Sequence, residues 1–404
     1  MATSTTINSA ASVGTSVLKE ESLIDFSGFG PIGLVVIQPT SFCNLDCDYC
    51  YLPDRQLKNQ LDLDLLDPIF KTVFTSRFLV RDITILWHAG EPMALPMSFY
   101  ESAFAKIADA SQKYNTQQPV SYQYSFQTNG LFLNQAWCDF FKQHPVHVGV
   151  SIDGPAFIHD AHRKTRTGRG SHAGAMRAIS LLQKNNIPFS SIAVITEESI
   201  DYPDEMFHFF LSNGITNVGF NMEETEGIHE ASSLDRADVA ERYQSFMKRV
   251  WDLTVQHEGA LKVREFEAIC GLVYTDTRLD NTDMNKPFVI VNFDYQGNFT
   301  TFDPELLSVK TDRYGEFKFG NVLHDTLESI CATEKFQTVY QEMKGGVELC
   351  RTNCEYFGVC GGGAGSNKYW ENGTFLSDET KACQYRIKTV TNIVLDSLEA
   401  SFIN

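Results

Sequence analysis

The sequence lacks any long hydrophobic run, and no stretch approaches the roughly 18 consecutive apolar residues of a membrane-spanning helix. It also lacks an excess of basic residues, with 33 Lys and Arg against 51 Asp and Glu and a formal net charge of -18. Nucleic-acid binding depends on Lys and Arg that neutralise phosphates. We therefore expect neither a membrane nor a nucleic acid as a partner.

The first 28 residues lack the features of a targeting segment. They are rich in Ser, Thr and Ala, carry one Lys and no Arg, and contain no apolar core segment. This composition fits neither a secretory signal nor a transit peptide. Residues 1–28 are predicted to be a disordered leader.

Cysteine is not scarce, but its spacing does not indicate disulfides. Disulfide-dense scaffolds are usually far shorter than this chain of 404 residues, and the ten cysteines cluster at the spacings of metal ligands. We infer a reducing, oxygen-poor cytoplasm as the location of the protein.

From about residue 32 to residue 223, apolar runs alternate with amphipathic stretches. Alternating β and α elements predict an α/β fold with a parallel sheet, here an open barrel of six units. The predicted strands are Ile32–Pro39, Ile83–His88, Tyr122–Gln127, Val146–Ile152, Ser191–Thr196 and Asn217–Asn221. The predicted helices are Leu65–Phe74, Phe99–Ser111, Gln135–Lys142, Ala173–Lys184 and Pro203–Ser212.

A second, smaller part follows the barrel. Asp235–Glu258 is predicted to be a long amphipathic helix, and Phe288–Phe293 and Asn298–Phe302 are predicted strands joined by a turn at Gly297. The predicted organisation is a barrel over 29–233, a helical bridging region over 234–285 and a smaller domain over 286–404.

Three cysteines, Cys43, Cys47 and Cys50, follow the first predicted strand with the spacing C-x3-C-x2-C. Three thiolates can hold a cubane iron–sulfur cluster by three irons and leave the fourth iron open. A structural zinc site is the alternative, but it needs a closed set of four ligands, and no fourth Cys or His lies nearby in the sequence. The carboxyl ends of parallel strands share one edge of a barrel, where chemistry is usually placed.

The three cysteines, with the aromatic Tyr49 before the last of them, resemble the motif of radical S-adenosylmethionine enzymes. In that family the open iron of a [4Fe–4S] cluster binds the amino and carboxylate groups of S-adenosylmethionine. The reduced cluster splits this cofactor to give a 5′-deoxyadenosyl radical that removes hydrogen from the substrate. The resemblance implies a partial (β/α)6 radical SAM barrel, with Tyr49 beside the adenine.

Residues at the other predicted strand ends match cofactor contacts of the same family. Gly90 and Glu91 resemble the GGEP segment that receives the ammonium group of the methionine moiety, although Ala89 replaces its first glycine. Asn129, in a Thr-Asn-Gly sequence, is a weaker match. An ordinary turn at a strand end remains the alternative for Glu91 and Asn129.

Further along, Ser151 and Asp153 resemble the S-x-D-G segment of peptide-modifying members, in which the serine contacts the nucleoside. Arg163 matches the arginine that pairs with the methionine carboxylate. A solvated basic loop, which also includes Lys164 and Arg166, is the alternative for Arg163.

Four cysteines near the end of the chain resemble the SPASM region, a domain that binds auxiliary iron–sulfur clusters. They are Cys350, Cys354, Cys360 and Cys383, with three glycines after Cys360. Four thiolates can hold one fully ligated auxiliary [4Fe–4S] cluster, and a zinc site is the alternative. The family pattern has further cysteines where this chain has Phe302 and Ala364, so we expect one auxiliary cluster rather than two. The remaining Cys138, Cys270 and Cys331 are predicted to be small buried residues, and a ligand role is the alternative for Cys270.

Asp303 stands directly after Phe302. In sulfatase-maturing relatives an Asp at that position is the catalytic base, so the resemblance implies the same role here. An aspartate that starts a turn before Pro304 is the alternative.

Two sequence segments most resemble the cyclophane-forming maturases of glycine-rich-repeat peptides, the GrrM/OscB group. They are Gly30-Pro31-Ile32-Gly33 and Trp87-His88-Ala89-Gly90-Glu91-Pro92. That resemblance implies a crosslink between an aromatic ring carbon and the β-carbon of a nearby residue. The implied partners are a precursor peptide, with a leader and an aromatic, Gly-rich core, and an electron donor such as flavodoxin or ferredoxin. We expect the leader to bind at a strand edge of the bridging region. A formylglycine-forming or thioether-forming maturase and a non-catalytic iron–sulfur electron carrier remain alternatives.

Overall fold

The computed structural model describes residues 24–307 and 309–403, and its first half alternates strands and helices as predicted. All six predicted strands and all five predicted helices are present, with ends within three residues of the expected ones. The strands are β1 (Leu34–Ile37), β2 (Ile83–Trp87), β3 (Tyr122–Thr128), β4 (Val146–Ser151), β5 (Phe189–Ile195) and β6 (Asn217–Met222). The helices are α1 (Leu66–Phe74), α2 (Met97–Tyr114), α3 (Gln135–Gln143), α4 (Ala156–His162), α5 (His172–Lys184) and α6 (Pro203–Ser212), of which α4 was not predicted.

Strands β1 to β6 pair in chain order, and each is parallel to the next. This topology confirms the predicted α/β fold with six parallel strands. Because all six strands run the same way, their carboxyl ends lie along one edge of the sheet. The loops that leave this edge carry the predicted site residues of the barrel.

A layer of apolar side chains fixes the sheet against its helices. In β2, Ile83, Ile85 and Trp87 are buried at alternate positions, as expected for a strand whose one face meets helices. The Trp87 ring lies 5.2 Å from the Tyr100 ring of α2 and 6.4 Å from the Phe126 ring of β3. Burying a large apolar side chain stabilises the fold by about 1.5–3 kcal/mol. Packing of these apolar side chains therefore stabilises the strands from which the site loops leave.

The barrel sheet continues into the second half of the chain. The further strands are β7 (Lys262–Val263), β8 (Ile290–Phe293), β9 (Asn298–Thr301), β10 (Lys310–Thr311), β11 (Gly315–Glu316) and β12 (Gly320–Asn321). Strand β8 pairs in parallel with β1, and β9 pairs antiparallel with β8 and β12. The predicted hairpin is confirmed, with Gly297 at a φ of +77° in its turn. This pairing brings the end of β9, which precedes Asp303, to the same sheet as the cysteine loop.

Helices dominate the rest of the second half. The predicted long helix is confirmed as α7 (Val239–Gln256). The others are α8 (Arg264–Thr275), α9 (Leu327–Ile330), α10 (Glu334–Asn353), α11 (Phe357–Cys360), α12 (Gly365–Asn372), a π-helical turn at Cys383–Thr389 and α13 (Val390–Ile403). These were not predicted, and α10 shows why, since Gly345 and Gly346 in its interior weaken the helical signal.

Near the start of the described chain, residues 24–28 belong to the folded part. Ile24 and Phe26 pack against the core, and the Phe26 ring lies 5.7 Å from the Phe78 ring. The predicted leader, residues 1–28, is therefore too long at its end, while residues 1–23 lie outside the described residues. In the part of the chain that the structure describes, no helix has the length and apolar character to cross a membrane.

Candidate active site and auxiliary cysteine site

The loop after β1 carries Cys43, Cys47 and Cys50 and is held by two arginines through its backbone. Arg166 Nε donates to the carbonyl oxygen of Cys43 over 2.8 Å, and Arg55 Nη1 donates to that of Cys47 over 2.9 Å. Burial raises the pKa of the Cys43 and Cys47 thiols to about 12. Cluster ligation must therefore release thiol protons. The loop backbone is fixed while its thiols remain available as ligands.

The turn after β2 lies against this loop. Gly90 has a φ of +70°, and a Cβ at this position would lie 2.5 Å from the carbonyl oxygen of Thr40 and 2.8 Å from that of Phe42. Only glycine fits such a close approach of two backbones. Ala89 also has a positive φ, of +66°. The turn presents backbone groups beside the cysteine loop.

Glu91 is buried at the end of that turn and joins the β2 and β3 loops. Its carboxylate accepts hydrogen bonds from Met93 N–H over 2.9 Å, from Thr128 Oγ1 over 2.7 Å and from Asn129 N–H over 2.8 Å. Burial raises the pKa of Glu91 to about 7, and these hydrogen bonds oppose the rise. Glu91 therefore has a structural role beside any contact with a cofactor ammonium.

Asn129 reaches from the end of β3 to the cysteine loop. Its Nδ2 lies 2.8 Å from Asn44 Oδ1 and 3.8 Å from Cys43 Sγ. Its Oδ1 also accepts from Leu131 N–H over 3.0 Å, which is the local turn expected of Asn. Asn129 therefore makes the local turn and also lies beside the cysteine loop.

Arg163 forms a buried ion pair with Asp153. Arg163 Nε lies 2.7 Å from Asp153 Oδ2, and Nη2 lies 3.0 Å from Oδ1, while the Tyr49 hydroxyl donates to the same carboxylate. Burial alone would raise the pKa of Asp153, but the charge and hydrogen bonds of Arg163 lower it. Arg163 is only 8% exposed, so the alternative of a solvated basic loop does not describe it. Asp153 orients both Tyr49 and Arg163 at the site.

Ser151, at the end of β4, accepts a hydrogen bond from Gln127 Nε2 over 3.0 Å. Gln127 was not predicted as a site residue, and neither was Gln38, which follows β1. Gln38 is 4% exposed, and its Oε1 has no hydrogen-bond partner among the described residues. A buried acceptor of this kind normally pairs with a donor. The site edge thus offers polar groups beyond those that sequence motifs reveal.

The four cysteines near the end of the chain line one cavity. Cys350 lies in the last turn of α10, Cys354 caps that helix, Cys360 ends α11 and Cys383 begins the π-helical turn. All four line a cavity of about 130 Å³. That volume is several times the roughly 30 Å³ that one water molecule occupies in the liquid. The cavity therefore has room for a group much larger than a single ion.

A single metal ion and a cubane cluster place different requirements on these ligands. In residues 24–307 and 309–403, no three His, Cys, Asp or Glu side chains converge closely enough to hold one metal ion. Sulfurs around a single zinc lie about 3.8 Å apart, because each Zn–S bond is about 2.3 Å long. A cubane places each thiolate on a different iron, so its ligands stand further apart. Four thiols that line a cavity of this size can hold an iron–sulfur cluster.

This chain has other residues at two positions where the SPASM pattern has cysteines, namely Phe302 and Ala364. Phe302 is fully buried, and its ring stacks on Phe336 with centroids 6.2 Å apart. Ala364 caps α12 and lines the auxiliary cavity. Cys138 and Cys331 are buried and Cys270 is half-buried, and all ten cysteines, which lie within the described residues, are free of disulfides.

Asp303 is buried beside a second carboxyl group. The Ser366 hydroxyl donates to Asp303 Oδ2 and also contacts Glu226. Burial raises the pKa of Asp303 to about 7 and raises that of Glu226 well above its ordinary range. Asp303 Oδ1 also accepts from Glu305 N–H over 3.3 Å, so the turn interpretation describes part of its role. Glu226 and Ser366 were not predicted, since no local motif marks them.

This carboxyl group pair lies between the two cysteine sites. Tyr51, next to Cys50, has its pKa raised by burial and then by the charges of Cys50, Glu226 and Asp303. On the other side, Arg386 lines the auxiliary cavity and donates to Glu224 Oε1 over 3.2 Å. Burial raises the pKa of both Asp303 and Glu226, and the charge of Arg386 offsets part of that rise. Asp303 and Glu226 therefore lie within electrostatic range of Tyr51 beside the three-cysteine loop and of Arg386 at the auxiliary cavity.

Comparison with known proteins identifies the barrel. Residues 37–210 match the family model of the Radical SAM superfamily. The barrel is a radical SAM domain. Its three-cysteine loop and the edge with Gly90, Asn129 and Ser151 lie inside the matched range.

Two relatives of this radical SAM protein match over most of their length. An uncharacterized protein of Synechocystis sp., sll1766, is 60% identical over 94% of this chain and 95% of its own length. A serine-type anaerobic sulfatase-maturating enzyme of Bacteroides thetaiotaomicron is 26% identical over 83% of each chain.

Two solved structures share the fold. The chain named anSMEcpe, with bound AdoMet and Cp18Cys peptide, has a TM-score of 0.73 at 20% identity and covers 92% of this chain and 99% of that one. Streptococcus suis SuiB bound to precursor peptide SuiA has a TM-score of 0.60 at 14% identity and covers 88% and 77%. These likenesses extend beyond the barrel and confirm the fold of both halves.

The match to the Radical SAM superfamily gives the barrel S-adenosylmethionine and a [4Fe–4S] cluster as cofactors. Cys43, Cys47 and Cys50 are the thiols that would hold the cofactor-binding cluster. Cys350, Cys354, Cys360 and Cys383 would hold the auxiliary cluster.

Anaerobically reconstituted protein is expected to contain about eight iron and about eight sulfide per chain, from two four-iron clusters. The physical reason is that Phe302 and Ala364 provide no thiolate for a third cluster. Iron and sulfide assays on the purified protein measure this. A content near twelve of each would show that a second auxiliary cluster forms and that the remaining cysteines were misinterpreted.

Proposed function

We propose that this radical SAM peptide-modifying enzyme installs a cyclophane in a ribosomally made precursor peptide, by joining an aromatic ring carbon to the β-carbon of a nearby residue. The observation that carries the proposal is the buried pair Asp303 and Glu226 between the three-cysteine loop and the auxiliary cavity. This position suits a reaction that releases both a proton and an electron.

The bond changes define what the chain must provide. When bound, the cofactor and its cluster supply a radical that removes one hydrogen atom from the substrate β-carbon. Addition of that carbon to the arene forms a C–C bond and leaves a ring that must lose one electron and one proton to regain aromaticity. Asp303 Oδ2 accepts the proton, and the four-cysteine site holds the electron acceptor.

Hydrogen bonds to both carboxylate oxygens position Asp303 for this role. The Ser366 hydroxyl holds its Oδ2, and the turn at Glu305 holds its Oδ1. Burial makes the ionised form less stable, so it takes up a proton readily near neutral pH. Arg386 and Glu224 form the next polar contact towards the auxiliary cavity.

The precursor peptide would bind by its leader at a strand edge of the bridging region. Strand β7 is the terminal strand of the sheet, so its outer edge has no paired strand among the described residues. An extended peptide can add to such an edge through backbone hydrogen bonds. SuiB, which shares the fold, is bound to a precursor peptide in its structure. An electron donor such as flavodoxin or ferredoxin in the cytoplasm would complete the system.

A formylglycine-forming activity is the second candidate, and the relative from Bacteroides thetaiotaomicron favours it. It would use the same carboxyl pair, since oxidation of a substrate serine or cysteine also releases a proton and an electron. The two candidates differ in the product, which carries an aldehyde in one case and a ring-to-carbon bond in the other.

Incubation of the reconstituted enzyme with a Gly-rich and aromatic peptide encoded beside its gene tests the proposal. We expect a product with two hydrogens fewer than the peptide, a protease-resistant loop between the linked residues and no reaction with a hydrazide probe. A serine converted to an aldehyde loses the same two hydrogens, but it reacts with hydrazide and leaves the chain linear. A hydrazide-reactive product would contradict the cyclophane proposal and support the second candidate.

A further inference from the structure

Lys368, in the first turn of α12, is the only buried lysine among the described residues, with 4% of its surface exposed. Its Nζ lies 3.2 Å from Cys350 Sγ and 2.8 Å from the carbonyl oxygen of Gly346. It also lines the auxiliary cavity. The side chain therefore brings an ammonium group into direct contact with one ligand of the auxiliary site.

No carboxylate among the described residues pairs with this charge within 4.0 Å, although the charge of Lys368 contributes to the lowered pKa of Asp378, which lines the same cavity. Within the described residues, every ion pair closer than 4.0 Å involves other cations, and none includes Lys368. A buried charge is costly unless it is paired and hydrogen-bonded. A thiolate-ligated cluster carries a net negative charge, so it is the partner that this ammonium lacks.

The neighbouring helix is adapted to this lysine. Gly346 lies inside α10, where glycine is less favourable for the helix than alanine. A Cβ at Gly346 would lie 2.1 Å from the carbonyl oxygen of Phe375 and 3.2 Å from Lys368 Nζ. The glycine lets α10 pack closely against both the backbone at Phe375 and the ammonium group. Gly346 therefore makes α10 less stable locally, but it leaves room for the Lys368 ammonium group at a defined position.

We propose that Lys368 raises the reduction potential of the auxiliary cluster. Reduction adds one negative charge to the cluster, and a cation in a dry site close to a ligand sulfur stabilises that charge more than it stabilises the oxidised form. Hydrogen bonds to the sulfurs and the net charge of the surroundings are known controls of cluster potentials. Lys368 provides both. The proposed consequence for catalysis, a better acceptor for the electron from the crosslinked ring, rests on the proposed function, but the potential itself does not.

The test is a potentiometric titration of the reconstituted enzyme, followed by electron paramagnetic resonance, without any peptide. Lys368→Met removes the charge and keeps an apolar chain of similar length. We expect the equilibrium constant for one-electron reduction of the auxiliary cluster to fall about tenfold or more, and tenfold corresponds to 59 mV. The signal that changes when S-adenosylmethionine is added belongs to the three-cysteine site and serves as an internal control that should not shift.

Lys388→Met is the matched control, because Lys388 lines the same cavity but lies 2.6 Å from the Glu379 carboxylate and is 31% exposed at its side chain. Its charge is already balanced and partly solvated, so its loss should shift the potential much less. An equal shift in both variants, or an unchanged potential in Lys368→Met with full iron content, would overturn the proposal.

If Lys368→Met fails to retain auxiliary iron, Lys368→Arg decides between charge and packing. An arginine variant with normal iron content and a near-normal potential supports the need for a cation at this position. Loss of auxiliary iron in that variant as well would overturn the proposal and leave Lys368 as a packing residue. A wild-type potential in Lys368→Met would leave the cyclophane proposal standing, since its test concerns only the peptide product.

Discussion

Replacing Cys43, Cys47 and Cys50 together by alanine is expected to abolish 5′-deoxyadenosine formation while about four iron atoms per chain remain. The loss should be complete because only the three-cysteine loop can leave an iron open for the cofactor. The remaining iron belongs to the cavity lined by Cys350 and its three partners, which no residue of the barrel loop lines. Chromatographic assay of 5′-deoxyadenosine with excess reductant, beside an iron assay, measures both quantities.

The loop backbone explains why this variant should still fold. Arg166 and Arg55 bind the carbonyl oxygens of Cys43 and Cys47, and these bonds do not involve the thiols. Cys138→Ala is the matched control, because Cys138 is a fully buried cysteine of α3 outside both sites. It should keep about eight iron per chain and normal cofactor cleavage. Cofactor cleavage that persists in the triple variant would refute the assignment of the three-cysteine loop.

The sequence predicts the barrel well because its signals are local. Each barrel strand is a short apolar run bounded by polar or glycine residues, and each predicted helix has a clear apolar face. The cysteine spacings are equally local, so both cysteine sites could be predicted. Helices α10 and α12 could not, since their positions depend on contacts such as the close approach at Gly346 rather than on an apolar period.

Long-range pairing accounts for what motifs miss at the site. Arg163 and Asp153 were each singled out separately, but their bidentate ion pair depends on the fold that brings α4 back to the end of β4. Glu226 and Ser366 lie 140 residues apart in the sequence and meet only because the second half of the chain packs on the barrel edge. No spacing rule connects them. A buried carboxyl pair is therefore a property of the structure, even though Asp303 itself carries a family resemblance.

Glu223 is a residue that the sequence alone would wrongly favour for a role at the site. By sequence it is as good a carboxylate at the end of β6 as Glu224. In the structure its carboxylate lies 2.9 Å from His229 Nε2 and accepts from Ser233 N–H over 3.0 Å. These contacts hold the loop after β6, whereas Glu224 pairs with Arg386 towards the auxiliary cavity. Glu223 is therefore a structural residue, and Glu224 and Glu226 are the carboxyl groups that neighbour Asp303.

Asp303→Asn is expected to reduce crosslinked product by about 10²–10⁴-fold, the usual contribution of a positioned general base. Cofactor cleavage and iron content should be unchanged, because neither depends on the proton that leaves the ring. Uncoupled 5′-deoxyadenosine should therefore accumulate. The measurement is the ratio of crosslinked peptide to 5′-deoxyadenosine in one reaction.

The pH dependence of the ratio of crosslinked peptide to 5′-deoxyadenosine is an independent test of Asp303 as the base. Burial raises the pKa of Asp303 to about 7, and only its ionised form can accept a proton. The ratio in the wild-type enzyme should therefore be low at acidic pH and rise as the pH increases through about 7. The Asn variant has no such group at position 303, so its ratio should stay low across the same range.

Asp62→Asn is a close control for the local structural role of Asp303. Both aspartates cap a short 3-10 turn by accepting from the N–H two residues later, at Asp64 in one case and at Glu305 in the other. Asp62 is exposed and has no buried carboxyl neighbour, whereas Asp303 is 1% exposed beside Glu226. Asn is an acceptable capping residue at both positions. If turn capping were the whole role of Asp303, both variants would keep the wild-type ratio, and the base would have to be sought at Glu226 or Glu224.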